Sequence, residues 1–165
     1  MIFVGIDPGL NGALAAVERR GSFFRFVDAV PVPVAGVDAK RRVVVLPVIR
    51  WLQKVAPDVV GIERAQAFPG QGRTSVMKYG RAVGRLEACV EGLGIDLVEV
   101  EASSWKKHFG LVRPDGEKDA AFKARSRAFA AATFPEGADR FSQAKDEHVA
   151  EAALIARYLA EKARR

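Results

Sequence analysis

The sequence predicts an α/β protein built on a five-stranded mixed sheet, three antiparallel strands followed by parallel ones, flanked by helices. Three observations predict it. The first thirty or so residues hold three apolar or alternating runs, MIFVGID, GALAAVE and SFFRFVDAV, separated only by turns at Pro8-Gly9-Leu10-Asn11-Gly12 and Arg20-Gly21, the pattern of an antiparallel meander. Beyond residue 40, stretches of helical spacing alternate with two short apolar runs, DVVGIER and IDLVEVEA, as in strand–helix–strand units. From about residue 118 the pattern is helical.

Each element can be justified from its residues. MIFVGID is apolar on both faces, as a central strand is. SFFRFVDAV alternates and is expected to put Phe24, Phe26 and Asp28 on one side. In residues 42–56 (RVVVLPVIRWLQKVA), Leu46, Ile49, Leu52 and Val55 form an apolar stripe. Pro47 suits a first turn, so this helix is expected to begin near it. The loop AQAFPGQGRT leads to a helix at 75–91, closed by Gly92 and Gly94. Ser103 or Ser104 is expected to cap a short helix carrying Trp105. Trp51 and Trp105 are expected in the core. LVRPDGEKD is a polar turn before helices at about 118–133 and 145–163, which Pro135 and Gly137 separate. No repeat or long linker divides the chain, so residues 1–165 are expected to form a single domain.

Composition narrows the function. Of 165 residues, 49% are hydrophobic and 28% charged, which excludes a disordered chain. The net charge of +6 favours a polyanionic partner, nucleic acid most simply. Cys89 is the only cysteine, which excludes an intramolecular disulfide or a cysteine zinc site and suits a reducing cytoplasm. No secretory signal or membrane-length apolar run is present, so a cytoplasmic protein with no membrane partner is expected.

The acids carry the chemistry. Asp7 and Glu63 each close an apolar strand, where a carboxylate is costly to desolvate without a cation. Alone, either has an ordinary explanation: Asp7 in an Asx-type turn, Glu63 paired with Arg64. Together, on similar strands, they suggest one site at one sheet edge. The segment KDEHVAEAALIARYLAEK adds a third contribution, since His148 and Glu151 share a helix face. Asp146 and Glu147 suit the first helical turn. Glu151 does not, because it sits among Ala150, Ala152, Ala153 and Leu154.

Asp7 in GIDPG, Glu63 closing DVVGIER, the loop FPGQG, WKK at 105–107 and HVAEAALIA, in that order, resemble RuvC-type Holliday-junction resolvases, most of all the short versions carried by bacteriophages. GIDPG by itself also resembles the first phosphate loop of actin-like ATPases. The resemblance implies an RNase H-like fold and a homodimer that resolves four-way (Holliday) junctions, or other branched DNA, by paired symmetric nicks. It implies divalent metal, Mg²⁺ at two per site with Mn²⁺ able to substitute. Asp7, Glu63 and Glu151 match the family's acids, His148 matches a position held by aspartate or histidine, and Asp146 lies where some phage members carry an acid. The implied catalytic residues are therefore Asp7, Glu63, His148 and Glu151, and the implied metal ligands are these four with Asp146.

That chemistry suits the residues. Two divalent ions roughly 4 Å apart can generate hydroxide and receive the leaving oxygen, and hard Mg²⁺ takes oxygen ligands. His148 serves as ligand or as base. Phe68 is a candidate wedge or stacking group at the crossover. Gln71, Arg73, Lys78, Arg81, Lys106, Lys107 and Lys118 are candidate DNA contacts, a basic rim to an acidic centre. Gly80 and Gly84 on the 75–91 helix mark either a dimer surface or close packing on the sheet. The alternatives are another RNase H-fold metal nuclease acting on RNA:DNA hybrids, an actin-like ATPase, which gives Glu151 no purpose, and a DNA-binding module without catalysis.

Overall fold

The computed structural model describes residues 1–37, 40–66 and 70–163. In chain order the elements are β1 (Ile2–Asp7), β2 (Ala13–Arg20), β3 (Phe23–Pro31), β4 (Val34–Ala35), β5 (Arg42–Val43), α1 (Val45–Val55), β6 (Val59–Glu63), α2 (Arg73–Glu91), β7 (Asp96–Val100), α3 (Ala102–His108), α4 (Asp119–Thr133) and α5 (Glu147–Lys162). Two short 3-10 segments, Pro135–Phe141 and Ala144–Asp146, join α4 to α5. The main sheet has the order β3-β2-β1-β6-β7. β1, β2 and β3 are antiparallel, and β6 and β7 run parallel to β1. This is the predicted mixed sheet. β4 and β5 form a separate two-stranded ribbon.

β1 is central, and both its faces are covered. Phe3 belongs to a core under α4 and α5, with Trp105, Phe134, Leu154 and Ile155. Val4 and Ile6 belong to a core under α1 and α2, with Leu52, Val60 and Leu86. α5 lies so close on β1 that a Cβ on Gly5 would fall on the Ala152 carbonyl oxygen and 2.5 Å from the Ala156 nitrogen. Arg19 holds the far end of α5, donating to the carbonyls of Ala160 and Ala163, where a cation also complements the helix dipole.

Three local expectations are corrected. Asp28 does not share a side with Phe24 and Phe26. A β-bulge shifts the register so that Val17 pairs with Phe26 but Ala16 with Asp28, and the extra residue reverses the facing of the positions beyond it. Asp28 thus turns to α1, accepting hydrogen bonds from Trp51 Nε1 (3.1 Å) and Lys54 Nζ (3.2 Å). On α1 the buried residues are Val48, Trp51, Leu52 and Val55, and Leu46 is 53% exposed. A strict three-residue spacing drifts round a 3.6-residue helix, leaving Leu46 and Val55 about 180° apart. The helix begins at Val45, with Pro47 in its first turn as expected. Neither Ser103 nor Ser104 caps α3: Glu101 holds the cap position without a side-chain cap bond, its carboxylate taken by Arg64 and Gln66. Among the described residues no helix is long and apolar enough to cross a membrane.

Candidate active site

The register of the central strands sets the site. Ile6 pairs with Ile62 across the parallel β1–β6 ladder, so the next residues, Asp7 and Glu63, leave the sheet side by side at the C-terminal edge, where open α/β sheets place ligands. The close seating of α5 on Gly5 brings the start of that helix over the same edge. His148 and Glu151, three residues apart, face it together. Asp7 is 7% exposed and Glu151 8%.

Each acid has a polar neighbour. His148 Nδ1 lies 2.6 Å from Asp7 Oδ2. Trp105 Nε1 donates to Glu63 Oε2 at 2.9 Å. Lys106 Nζ is 3.6 Å from Glu151 Oε1. Trp105 and Lys106 are consecutive on α3, so one short helix serves two carboxylates. Neither bland explanation of the acids holds: Arg64 turns to Glu101 (2.6 Å) and Glu99 (3.4 Å), and Asp7 binds an imidazole.

These contacts do not neutralise the site. Burial pushes the Glu151 carboxyl up to about 7, with Lys106 opposing and the charges of Asp7, Glu63 and Glu147 adding. Burial also raises Glu63, against the Trp105 hydrogen bond and with the Asp7 charge. The hydrogen bond to Asp7 raises His148 against its burial. Tyr79, on α2 near Gly9, is pushed up to about 12 by burial and then by the Glu63 and Asp7 charges. Each shift means that added negative charge is unwelcome and a cation welcome.

Not every candidate joins the cluster. Asp146 Oδ2 accepts the Gln143 amide at 2.8 Å in a capping box, so that oxygen is committed to the 3-10 segment. Glu147 pairs with Lys123 at 3.2 Å. Lys106, expected at the DNA rim, lies at the centre, its ammonium over the Trp105 and Phe122 rings. Lys107 is exposed and, with Lys106 and Lys123, lines a cavity of about 620 Å³ that reaches Glu151. Gln71 shares a smaller cavity with Tyr79. Arg73 and Lys118 are exposed, and Lys78 and Arg81 line a separate basic pocket. Phe68 lies outside the described residues. Sequence reasoning missed Trp105 as the partner of Glu63, although WKK was prominent, and gave Tyr79 no place. Among the described residues no three His, Cys, Asp or Glu side chains stand close enough together, as placed, to hold a metal ion.

Residues 3–114 match the family model of the crossover junction endodeoxyribonuclease RuvC. The chain belongs to the RuvC family. Its activity class is accordingly the endonucleolytic resolution of Holliday junctions. The match includes Asp7 and Glu63 and stops before His148 and Glu151. Likeness to solved structures extends over most of the chain and shows the RNase H-like fold. Thermus thermophilus RuvC in complex with a Holliday junction substrate is similar at a TM-score of 0.68 and 18% identity, covering 94% of this chain and 90% of that one. A second structure of Thermus thermophilus RuvC gives 0.63 and 22%, covering 94% and 91%. The yeast mitochondrial Holliday junction resolvase gives 0.60 and 13%, covering 93% and 75%. No curated protein sequence matches the chain.

Proposed function

We propose that this RuvC-family chain, as one RNase H-like domain, hydrolyses phosphodiesters at four-way DNA junctions, with Asp7, Glu63 and Glu151 as metal-holding carboxylates. The observation that carries the reading is that three acids from two strand ends and a helix, two of them buried, feel one another's charge at a single sheet edge, with Lys106 as the cation beside Glu151 among the described residues. Such an all-oxygen donor set, with Glu63 and Glu151 raised in pKa by burial and mutual repulsion, fits a hard divalent ion. Mg²⁺, two per site, with Mn²⁺ able to replace it, would activate a water and stabilise charge on the phosphate and the leaving 3′ oxygen.

The chain's own groups do the rest. Trp105 fixes the rotamer of Glu63, and Lys106 holds Glu151 and supplies positive charge beside the scissile phosphate. His148 gives Nδ1 to Asp7, and Nε2 has no hydrogen-bond partner among the described residues. With Nδ1–H donated to Asp7, Nε2 is the acceptor nitrogen, so His148 is oriented to take a proton from the attacking water. Paired symmetric nicks need two such sites, which a C2 homodimer supplies. Gly80 and Gly84 support α2 as its surface, since a Cβ at either would meet nothing within 4 Å, and packing on the sheet does not explain them.

The test is a labelled immobile junction incubated with Mg²⁺ or Mn²⁺ beside linear duplex and an RNA:DNA hybrid. Paired nicks in the junction are expected, and Asp7→Asn should slow them by at least about 10²-fold, the cost of losing one electrostatic stabiliser. Equal cutting by Asp7→Asn, or cutting of the hybrid alone, would refute the proposal.

A further inference from the structure

We propose that a pocket between β5 and α2, apart from the acid cluster, binds a phosphate of the DNA backbone; this rests on the junction-cutting reading. The pocket has a volume of about 330 Å³, and six cationic side chains line it: Lys40, Arg41, Arg42, Lys78, Arg81 and Arg85. Among the described residues no acidic side chain joins the lining. Among the described residues, too, none of the six forms an ion pair. Several cations elsewhere are paired, Arg25 with Glu18, Lys54 with Asp28, Arg64 with Glu101 and Arg157 with Glu161, whereas here six stand together without an acid among the described residues. Six like charges gathered in one concavity repel one another and are relieved only by an anion.

The pocket is held in shape by the fold. Arg41 Nη2 donates to the Leu10 carbonyl (3.1 Å) and to Asn11 Oδ1 (3.0 Å), tying the ribbon to the turn that comes after Asp7. Arg85 Nη1 donates to the Val43 carbonyl at 2.8 Å, tying the ribbon to α2. Lys78, Arg81 and Arg85 recur at helical spacing on one face of α2. Guanidinium groups fixed in this way suit phosphate oxygens.

The surroundings favour a backbone phosphate over a small free anion. Leu10 and Arg41 also line an adjoining cavity of about 590 Å³ whose lining includes Lys145 and His148. The pocket is therefore continuous with the flank of the acid cluster, and a strand leaving the cutting site along that surface meets it.

The experiment measures binding of a fluorescent four-way junction in EDTA against salt concentration. Arg42 and Arg81 are exposed and their side chains make no hydrogen bond among the described residues, so the double variant Arg42→Gln/Arg81→Gln is the probe. Its log–log salt slope is expected to fall by about 2, one for each phosphate-facing charge removed, and Arg42→Lys/Arg81→Lys should keep the wild-type slope. An unchanged slope and affinity in the glutamine variant overturns the site. Inorganic phosphate provides the second arm, read by thermal shift: stabilisation of the wild type but not the variant, with the junction slope unchanged, makes this a small-anion pocket and overturns the DNA assignment. Wild-type cutting is scored separately. Binding without cutting removes the nuclease reading and leaves the pocket, whereas cutting with an unchanged slope does the reverse.

Discussion

A single indole N–H illustrates how narrowly the acid cluster is adjusted. Trp105 is fully buried and donates to Glu63; without that donor the carboxylate would keep its burial and forfeit the hydrogen bond that offsets it. Trp105→Phe removes the N–H and retains most of the packing. Loss of a ligand's hydrogen-bonding partner typically weakens metal affinity 10- to 100-fold, so the divalent concentration giving half-maximal cutting should rise about 10-fold. Quenching of an indole placed at another site facing the cluster would follow binding independently of turnover. A lower melting temperature with an unmoved metal midpoint would reduce Trp105 to packing. The acids themselves were legible in the sequence, because a carboxylate closing an apolar strand or lying among alanines has few bland explanations. Their partners were not. Trp105 and Tyr79 meet the acids only through strand order and helix placement, which spacing along the chain does not encode.

Among the elements, α5 decides whether there is a site at all. Its backbone rests on Gly5 with no room for a methyl group. Gly5→Ala must push the helix off the strand, carrying His148 and Glu151 away from Asp7. Overpacking costs about 1–3 kcal/mol and occasionally more, and Gly5→Ala should fall at or above the top of that range because the clash is with backbone. Denaturant titration measures it, and a variant as stable as the wild type would refute the close seating. The main-sheet strands and the helices were readable from the sequence, since continuous apolar runs mark β1 and β6 and helical spacing marks α2. The facing of Asp28 was not, because a bulge is a single uncounted residue. The stripe of α1 was misjudged because a short helix contains too few turns to reveal drift.

On the scale of the molecule, the buried acids tie stability to pH. Glu151 titrates near 4.5 when unfolded and near 7 in the metal-free fold, so the folded chain holds a proton over that interval that the unfolded chain does not. Stability from this group is complete below 4.5 and is lost as pH rises through 7. His148, raised above 6.5, acts in the same direction: its contribution is complete below 6.5 and lost as pH rises through its folded value. Metal-free protein should therefore melt at a higher temperature at pH 5.5 than at pH 8. Glu151→Gln should remove part of that slope, with a ceiling of about 3 kcal/mol from the shift alone. Melting curves in EDTA decide it, and a slope that rises with pH would contradict the burial of these groups. The basic charge and the placing of Asp7 and Glu63 at one sheet edge were legible from composition and motif order. The unpaired pocket between β5 and α2 was not, since three of its cations come from in and beside a ribbon with no marked sequence pattern.

The contact between Gly5 and α5 also has a consequence for biosynthesis. β1, which carries Asp7, is synthesised well before α5, which carries Glu151, because the strand precedes the helix in the chain. A polypeptide interrupted before residue 147 leaves the Phe3 and Gly5 face of β1 without the helix that covers it and lacks His148 and Glu151, so on the function proposed above unfinished copies are both sticky and harmless to DNA.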